Sequence, residues 1–425
     1  MASVTYPDSV RFLYALGNEI KTAKLGLDRI TAVLEALGRP QDRIRSVHVA
    51  GTNGKGSTCA MIESGLRAAG RRTGLFTSPH LAEPTERIQI DGRPISAARF
   101  AAAFEQVHAA VERVLDIHTT YFETVTAMAL VVFAEERVDT AVIEVGLGGR
   151  LDATNVITPE LSVITPIDFD HEQYLGRSLE AIAGEKAGIL KPGVAAVFAN
   201  QRPEAARVLQ ARAAELGCTV THTPQATHIE LDARSSRFRT GLLRIACPLA
   251  GEHQVQNAVT AATALQQIGV PDTAVEAGIA HVHWPGRLEH VRANPDIILD
   301  GAHNPAGARA LAAYIDRFYR DRPVRLIFGA MRDKAIDEIS GILFPRARQV
   351  IVTAPKQARA LAPEALAEAV HHPGLCIAPT LEDALALVRD AAFEEAVFIT
   401  GSLFLVAEAR ALGRRLSGIG PNPQT

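Results

Sequence analysis

The sequence predicts an α/β protein made of two doubly wound units. Short apolar, β-branched runs alternate with amphipathic helical stretches, and the alternation begins again after a turn-rich segment two thirds of the way along. The runs lack a polar face, which is typical of parallel strands covered by helices on both sides. A length of 425 residues leaves room for more than one domain.

In the first half, hydrophobic periodicity defines strands and helices in alternation. The predicted strands are Ser46–Ala50, Thr73–Thr77, Thr140–Gly146, Leu161–Ile167 and Ala195–Ala199. The predicted helices are Thr58–Ala69, Ser178–Leu190 and Gln254–Ile268, the second of which begins at a serine cap. Short alternating runs over His228–Cys247 predict an antiparallel appendage between the second and third of these helices.

The last third repeats the pattern and predicts a separate doubly wound unit. Its strands are expected at Ile297–Asp300, Val324–Gly329, Gln349–Thr353, Leu375–Ala378 and Ala396–Thr400. Its helices are expected at Ala306–Tyr319, Ala335–Leu343, Pro363–Val370, Leu381–Ala392 and Phe404–Arg415. The Pro-Gly break within His283–Arg287 places the predicted boundary, giving domains of residues 1–286 and 287–425.

Composition excludes several classes of protein. The chain has 44 basic and 47 acidic residues, a net charge of −3, and thus no general attraction for nucleic acid or an anionic membrane. Its four cysteines are scattered without C-x-x-C spacing, which favours reduced thiols over a zinc site or disulfides. The N-terminus lacks a signal-peptide pattern, and the apolar run Ala127–Ala134 is too short to span a bilayer. We expect a cytoplasmic monomer.

The first chemical signal is a glycine-rich loop, Gly51–Thr58, between a strand and a helix. Glycines let backbone N–H groups approach phosphate oxygens, and the helix N-terminus adds partial positive charge. Lys55 can reach the outer phosphates, and Ser57 or Thr58 can offer a hydroxyl to Mg²⁺. The loop is shorter than the standard phosphate-binding motif and has Gly56 before the hydroxyl residue, but its context favours phosphate binding over an ordinary turn.

A second signal is Glu144, an acidic residue inside the apolar run Thr140–Gly146. Burying a carboxylate is costly unless a cation compensates it. Mg²⁺ and a salt bridge to nearby Arg150 are equal alternatives from this run alone, and the phosphate loop favours the metal. His171, in the cluster Asp168–His171 after a strand, is either a metal ligand or a hydrogen-bonded loop histidine.

Two nucleotide-binding alternatives fit less well. The glycines of Gly146–Leu151 resemble a dinucleotide fingerprint, but Leu151 occupies the position that needs a small residue, and a turn follows. NAD binding is therefore rejected. A GTPase is disfavoured because the chain contains no N-K-x-D motif to recognise guanine.

The motifs then occur together in one order that is specific to a family. The segments concerned are Gly51–Thr58, Thr77–Leu81, Glu86–Ile88, Glu144–Asn155, Asp170–His171, Glu185–Ile189, Gly251–Asn257, Trp284–Arg287, Asp300–Pro305 and Gly401–Leu403. With them the chain resembles the bacterial folylpolyglutamate synthase/dihydrofolate synthase family of the Mur ligase superfamily, from about Leu25 to Arg410.

The resemblance implies ATP-dependent amide formation. A substrate carboxylate attacks the γ-phosphate of ATP, the amino group of L-glutamate attacks the resulting acyl phosphate, and ADP and phosphate leave. A free carboxylate is inert to amines. Attachment of a phosphate leaving group makes its carbonyl carbon electrophilic. Catalysis of the first step is then mainly positioning and charge neutralisation. The implied substrates are ATP, L-glutamate, dihydropteroate and reduced folates.

For ATP, the resemblance implies contacts from the phosphate loop and from three residues further along the chain. The loop residues are Asn53, Gly54, Lys55, Gly56, Ser57 and Thr58, and the others are Asn257, Arg287 and Asp300. Lys55, Lys186 and His303 are expected to be catalytic, with Lys186 matching a lysine that is carbamylated in the family. Sequence alone would favour an exposed helix lysine at this position.

For metals, the resemblance implies that Ser78, Glu144 and His171 bind Mg²⁺, with Ser57 as a further candidate. The role of His171 rests on the resemblance alone, since an imidazole is an unusual ligand for a hard cation. A monovalent cation such as K⁺ is a further expectation.

For the pterin substrate, the family pattern points to three segments. They are Thr22, Ala23, Lys24 and Leu25, then Thr77 with Thr120, Tyr121, Phe122 and Glu123, then Leu151, Asp152 and Ala153. Phe122 offers a face for a flat ring, although core packing is the alternative, and Glu123 offers a carboxylate for ring N–H groups. Together the first two segments resemble the bifunctional type that accepts dihydropteroate.

Three other functions remain open at this stage. One is the same chemistry restricted to dihydrofolate synthesis or to polyglutamylation. A second is a peptidoglycan-precursor Mur ligase, although only about fifty residues precede Gly51, too few for a domain that binds a UDP-sugar. The third is a nucleotide-gated binding protein, which would leave Glu144, Lys186 and Asp300 unexplained together.

Overall fold

A computed structural model describes residues 4–17, 26–112 and 118–416 of the chain. These residues divide into two compact units. The first lies within Met1–Thr227, Arg239–Ile245 and Gln256–Val282, and the second within His228–Phe238, Ala246–Val255 and His283–Thr425. Both are α/β units, so the predicted fold class is confirmed.

The first unit is built on an eight-stranded sheet. Its strands are β1 (Ser46–Ala50), β2 (Thr73–Phe76), β3 (Ile88–Ile90), β4 (Arg93–Pro94), β5 (Thr140–Glu144), β6 (Leu161–Ile164), β7 (Ala195–Phe198) and β8 (Val220–His222). The order is β4-β3-β2-β5-β1-β6-β7-β8, parallel from β2 to β8, with β3 and β4 as an antiparallel extension. The carboxyl ends of β2, β5, β1 and β6 therefore adjoin at one edge.

Helices cover the faces of this sheet. They are α1 (Tyr6–Ala15), α2 (Asp28–Ala36), α3 (Lys55–Ala68), α4 (Ala97–Ala110), α5 (Tyr121–Glu135), α6 (Glu172–Leu175), α7 (Leu179–Ala187), α8 (Pro203–Glu215) and, further along the chain, α10 (Asp272–Ala280). The apolar run Ala127–Ala134 forms the buried body of α5, and all but its last residue are shielded from solvent. It therefore supplies core packing between α4 and the sheet.

Between α8 and α10 the chain forms a small sheet and a long helix. Strands β9 (Thr227–Leu231), β10 (Ser236–Thr240) and β11 (Leu243–Cys247) pair in the order β11-β10-β9. Buried and exposed residues alternate along β10 and β11, as the sequence predicts for strands with one covered face. Helix α9 (Glu252–Gln267) follows.

The second unit contains a six-stranded sheet in the order β12-β13-β17-β14-β15-β16. Its strands are β12 (Glu289–Arg292), β13 (Asp296–Leu299), β14 (Val324–Phe328), β15 (Gln349–Val352), β16 (Leu375–Ile377) and β17 (Ala396–Thr400). Its helices are α11 (Pro305–Phe318), α12 (Ile336–Leu343), α13 (Pro363–Ala369), α14 (Leu381–Ala386), α15 (Leu403–Ala411) and α16 (Gly413–Leu416). All neighbouring strands are parallel except β12, which pairs antiparallel to β13.

Several predicted boundaries are wrong in detail. Helix α3 begins at Lys55, three residues before its predicted start, directly after Gly54, whose left-handed backbone ends the loop. Helix α14 ends at Ala386 instead of Ala392. Strand β12 was not predicted, because its mixed polar and apolar residues do not form an apolar run. Within the described ranges, no helix is long and apolar enough to cross a membrane.

Candidate active site

The phosphate loop Gly51–Thr58 joins the end of β1 to the start of α3. The first hydrogen bond of α3 runs from the N–H of Thr58 to the carbonyl of Gly54 at 2.9 Å. The amides of the first turn therefore lack partners inside the helix and point out of its N-terminus, where an anion is favoured. The Lys55 ammonium folds back and donates to the carbonyl of Thr52 at 3.2 Å.

Neighbouring segments hold this loop on two sides. The amides of Thr52 and Asn53 donate to the carbonyl of Pro166 after β6, at 3.0 and 3.3 Å. On the other side, Gly54 has a φ of +83°, and a Cβ there would lie 2.2 Å from Oδ1 of Asn257. Glycine is therefore required at this position, and buried Asn257 on α9 lies against the loop.

Glu144 ends β5, beside the phosphate loop at the end of β1. Its side chain is 4% exposed, and its Oε2 accepts the amide N–H of Ser78, beyond the end of β2, at 3.0 Å. The salt-bridge partner considered from sequence, Arg150, binds Glu185 at 2.8 Å instead. Two of the three predicted metal ligands thus lie together at one edge of the sheet.

The third predicted ligand, His171, precedes α6 in the segment that follows β6. Its Nε2 lies 3.8 Å from a carboxylate oxygen of Asp170. In the part of the chain that the structure describes, no three His, Cys, Asp or Glu side chains form a group able to enclose a metal. A magnesium ion that keeps waters and phosphate oxygens as ligands does not need such a group.

Lys186 lies in the last turn of α7 and is 4% exposed, unlike the exposed helix lysine that sequence alone favours. Its ammonium donates to the carbonyl of Gly51, the first residue of the phosphate loop, at 2.9 Å. Burial, and secondly the charge of Lys55, lower the pKa of Lys186 to about 7. Much of this amine is therefore neutral near pH 7, and a neutral amine is the nucleophilic form.

Phe122, in the first turn of α5, lies over the backbone that follows Glu144. A Cβ on Gly146 would come within 2.5 Å of the Phe122 ring, so glycine is what lets the ring approach this closely. The ring is only partly buried, and it lies 5.9 Å from the ring of Phe76. Core packing and an open aromatic face are therefore both present at Phe122.

The remaining residues of this segment mainly fix the helix start. Thr120 and Glu123 form a capping box at the N-terminus of α5. Both Glu123 oxygens are engaged by Arg29 of α2, at 2.8 and 3.2 Å, and one of them also accepts the amide N–H of Thr120. Tyr121 is buried, with the Arg87 guanidinium 5.2 Å from its ring centre. The carboxylate expected to meet pterin N–H groups is thus already bound by protein donors.

Asp152 closes the loop that follows Gly146. Its Oδ2 accepts the amide N–H of Leu147 at 2.8 Å, and its Oδ1 accepts that of Thr154 at 2.9 Å. Burial raises the pKa of Asp152, and these hydrogen bonds oppose that rise. Ala153 is buried beside it and Leu151 is partly exposed. Thr77 is buried after β2.

In the second unit, the predicted residues cluster after β13. Asp300 is buried and accepts amide N–H groups of Leu288 and Ala302, both at 3.0 Å. Burial raises the pKa of Asp300 and the Arg287 charge opposes this. His303 is hydrogen bonded through Nδ1 to the carbonyl of Gly301 at 2.8 Å. The predicted segment Thr22, Ala23, Lys24 and Leu25 lies outside the described residues.

Sequence reasoning missed three residues that hold predicted site residues, directly or through one another: Arg29, His48 and Thr154. Arg29 binds Glu123, and His48 and Thr154 extend the hydrogen bonds of Asp152. The signal available was His48 itself, a histidine between two valines of β1, since a buried polar side chain requires a partner.

A phosphate loop at the end of a central parallel strand, in a chain with a second α/β unit, defines a phosphate-binding α/β protein. Family models agree with this class: residues 49–265 match the Mur ligase middle domain, and residues 286–403 match the Mur ligase glutamate ligase domain. The boundary between residues 286 and 287 stays a prediction.

Individual relatives cover almost the whole chain. The dihydrofolate synthase/folylpolyglutamate synthase of Mycobacterium tuberculosis is 38% identical over 91% of this chain and 89% of its own length. The folylpolyglutamate synthase of Lacticaseibacillus casei is 36% identical, covering 96% and 98%.

Solved structures agree. Folylpolyglutamate synthase from M. tuberculosis complexed with ADP has a TM-score of 0.89 at 37% identity, covering 95% of this chain and 98% of that one. E. coli FolC in complex with DHPP and ADP has a TM-score of 0.88 at 31% identity, covering 98% and 99%. The chain belongs to the dihydrofolate synthase/folylpolyglutamate synthase family of Mur ligases.

Proposed function

We propose that this protein is an ATP-dependent ligase that joins L-glutamate to dihydropteroate and to reduced folates, through an acyl phosphate and with release of ADP and phosphate. One observation carries the proposal beyond family membership. The phosphate loop after β1 and the Phe122 ring over the end of β5 adjoin at one edge of the sheet. This edge can bring the terminal phosphate of ATP to a carboxylate on a ring-bearing acid.

The residues of the phosphate loop would bind and orient ATP. The amides at the N-terminus of α3 would face the phosphates, and Lys55, which donates to the Thr52 carbonyl, would turn toward them when nucleotide binds. Asn257 against Gly54 would contact the nucleotide, as would Arg287 and Asp300. His303 is proposed to act near the reacting groups. Charge neutralisation and alignment account for most of the rate in phosphoryl transfer.

We propose Mg²⁺ as the metal, held by Ser78, Glu144 and His171, with Ser57 as a further ligand. Glu144 supports this, because it is a buried carboxylate on the strand next to β1, which leads into the phosphate loop, and a hard cation prefers carboxylate and hydroxyl oxygens. When bound, Mg²⁺ supplies charge stabilisation on the transferring phosphoryl group. K⁺ is a further proposal that rests on the resemblance alone.

Carbamylation of Lys186 is supported by its surroundings. The ammonium would first lose a proton, and the neutral amine would then attack carbon dioxide, forming an N–C bond and releasing a second proton, so that a cation is converted into an anion. Burial is the main cause that lowers the pKa of Lys186 to about 7, so the neutral amine that this reaction needs is available near pH 7. The resulting carboxylate would lie beside Gly51 and could hold a second cation near the phosphates.

The pterin substrate is proposed to bind with its ring against Phe122. The neighbouring surfaces would come from Thr77, Thr120 and Tyr121, from the turn Leu151–Ala153, and from Thr22–Leu25. Glu123 would fix the start of α5, which also contains Phe122, since Arg29 and the Thr120 amide hold its carboxylate. A flat, partly exposed aromatic side chain is suited to stack on a pteridine.

Two activities are proposed, and one relative favours a narrower alternative. Several relatives carry both names, whereas the L. casei relative, at 36% identity over 96% of this chain, is named for polyglutamylation alone. A single-activity folylpolyglutamate synthase is therefore the second candidate. The relevant difference lies in whether dihydropteroate, which lacks a glutamate, is accepted.

The test measures ADP release by the purified protein with Mg-ATP and L-glutamate. One reaction contains dihydropteroate, another contains tetrahydrofolate, and a third omits glutamate. We expect glutamate-dependent turnover with both pteridines. Turnover with tetrahydrofolate alone selects the second candidate, turnover with dihydropteroate alone selects a dihydrofolate synthase, and no turnover with either contradicts the proposal.

A further inference from the structure

A buried line of hydrogen bonds links the central strand β1 to Asp152. The Nε2 atom of His48 lies 2.8 Å from Oγ1 of Thr154, and that hydroxyl lies 2.5 Å from Oδ1 of Asp152. All three side chains are buried: His48 and Thr154 have no exposed surface, and Asp152 is 4% exposed. Thr154 lies in the short 3-10 helix Ala153–Val156, which Asp152 caps.

The direction of these hydrogen bonds is fixed by chemistry. The oxygens of Asp152 face amide N–H groups of Leu147 and Thr154, so the carboxylate accepts from every side. The single hydroxyl hydrogen of Thr154 is therefore donated to Asp152, and its oxygen accepts the Nε2–H of His48. Burial and the Lys191 charge lower the pKa of His48 to about 3, which keeps the ring neutral.

His48 does more than fill space. Its strand neighbours Val47 and Val49 are apolar and equally buried, and a valine or leucine would fill the site without desolvating two ring nitrogens. Within the described residues, its Nδ1 atom has no hydrogen-bond partner. The cost of burying the ring is therefore offset at Nε2, which contacts Thr154.

At Asp152, the line of hydrogen bonds ends in a loop beside the proposed pteridine site at Phe122. Asp152 closes the segment 147–152 through the Leu147 amide, and this segment begins one residue after Gly146, on which the Phe122 ring lies. A carboxylate held only by its own loop could rotate with it. Here it is tied through Thr154 to the middle strand of the sheet, which fixes the loop relative to Phe122.

We propose that His48 and Thr154 are positioning residues for the pteridine substrate: they fix the Asp152 carboxylate and hence the loop against which the pteridine ring binds. The inference rests on the proposed function, and specifically on a pteridine site at Phe122 and Asp152. The proposed ATP contacts do not include His48, Thr154 or Asp152, so loss of the line should weaken pteridine binding selectively.

The experiment compares matched variants of the full-length protein by steady-state kinetics. Thr154→Val removes the hydroxyl at nearly constant volume, and Thr154→Ser restores it. His48→Leu removes the ring donor, and His48→Gln offers an amide N–H in its place. Thr126→Val is the control. Thr126 lies on α5, and its buried hydroxyl has no hydrogen-bond partner in the described part of the chain, so the variant deletes a hydroxyl without breaking a hydrogen bond.

We expect Thr154→Val and His48→Leu to raise KM for dihydropteroate about tenfold, the effect of one hydrogen bond to a charged group. The expected change in KM for ATP and in kcat is less than about twofold, and Thr154→Ser should recover most of the lost affinity. Thr126→Val should leave all three constants at the wild-type level. A general structural defect would change KM for ATP and for dihydropteroate together.

An unchanged KM for dihydropteroate in Thr154→Val would overturn the inference, as would equal losses for ATP. If that variant does not fold, the same outcomes apply to His48→Leu and His48→Gln, with circular dichroism to verify folding. Wild-type activity separates the two hypotheses. Absence of wild-type turnover with any pteridine contradicts the proposed function, whereas normal wild-type turnover with insensitive variants contradicts only the positioning role.

Discussion

The amine of Lys186 lies 2.9 Å from the carbonyl oxygen of Gly51, so a buried lysine from the end of α7 holds the first residue of the phosphate loop. Sequence alone would place this lysine on an exposed helix surface. The contact instead brings a titratable nitrogen to the base of the loop, where burial, and secondly the Lys55 charge, lower its pKa. A change at Lys186 should therefore act on nucleotide chemistry.

Lys186→Ala should cripple glutamate-dependent ADP release while the fold is retained. The cause is loss of the carbamate that we propose at this position, so a short-chain carboxylic acid in the buffer should restore part of the activity. Lys55→Ala is the control: it should also be inactive, but a carboxylate should not restore it, because the missing group is a cation. Full activity of Lys186→Ala without added acid would contradict the carbamate.

Glu144→Gln should abolish turnover, since an amide cannot supply the negative charge that the proposed Mg²⁺ requires. The readout independent of turnover is thermal stabilisation by ADP, measured with and without Mg²⁺. The wild-type protein should gain stability from ADP in a Mg²⁺-dependent way, and the variant should lose that dependence. Glu180→Gln, an exposed change on α7, should behave as wild type. A retained Mg²⁺ response in Glu144→Gln would refute the assignment.

The fold was predictable because both sheets contain apolar strands bounded by strong stop signals. The runs Ser46–Ala50, Val324–Gly329 and Ala396–Thr400 carry this signal and are strands in the structure. Elements with a weak pattern were not predicted. Strand β12 is an example, because it has no continuous apolar run. The position of the glycine-rich loop after β1 and the burial of Glu144 in β5 were also predictable, because each is an anomaly within its own segment.

The remaining parts of the site depend on contacts between distant residues, which a single sequence does not encode locally. Glu123 could be noticed as an acidic residue beside an aromatic one, but its partner Arg29 lies 94 positions away. The link between His48 and Thr154 spans 106 positions. The burial of Lys186 likewise follows from the packing of α7, and only the family resemblance indicated a special role.

Arg29→Met should raise KM for dihydropteroate and lower stability. Glu123 is buried, so removal of its cation leaves an unpaired charge, a loss of about 3 kcal/mol in the free energy of unfolding. Urea unfolding and steady-state kinetics measure the two effects. In the double variant Arg29→Met/Glu123→Gln stability should recover substantially, because no buried charge remains. Failure of the second change to restore any stability would show that the ion pair is not the cause.

Gly146→Ala should weaken pteridine binding without affecting ATP. A Cβ at this position would lie 2.5 Å from the Phe122 ring, so the ring must move off the proposed stacking position. We expect at least a tenfold rise in KM for dihydropteroate, about 1.4 kcal/mol. The matched control is Gly184→Ala on α7, where a Cβ would meet nothing within 4 Å. Equal effects of Gly146→Ala and Gly184→Ala on KM for dihydropteroate would show that the Phe122 ring does not take part in substrate binding.

The neutrality of His48 predicts a pH dependence of stability. Its pKa is lowered to about 3 in the folded protein, whereas the unfolded chain binds a proton near pH 6.5. As pH falls below 6.5, protonation therefore favours the unfolded state, and stability is lost progressively until the folded pKa is reached. Between pH 7 and pH 5 this group alone should cost about 2 kcal/mol of unfolding free energy.

His48→Gln removes the titrating ring, so the variant should lose about 2 kcal/mol less than the wild type over that interval. Urea unfolding at the two pH values gives both differences, and other titrating groups cancel in the comparison. An identical loss in the two proteins would mean that His48 is protonated in the folded state. The ring would then donate to Thr154 as a buried cation instead of a neutral donor, with the direction of the hydrogen bonds to Asp152 unchanged.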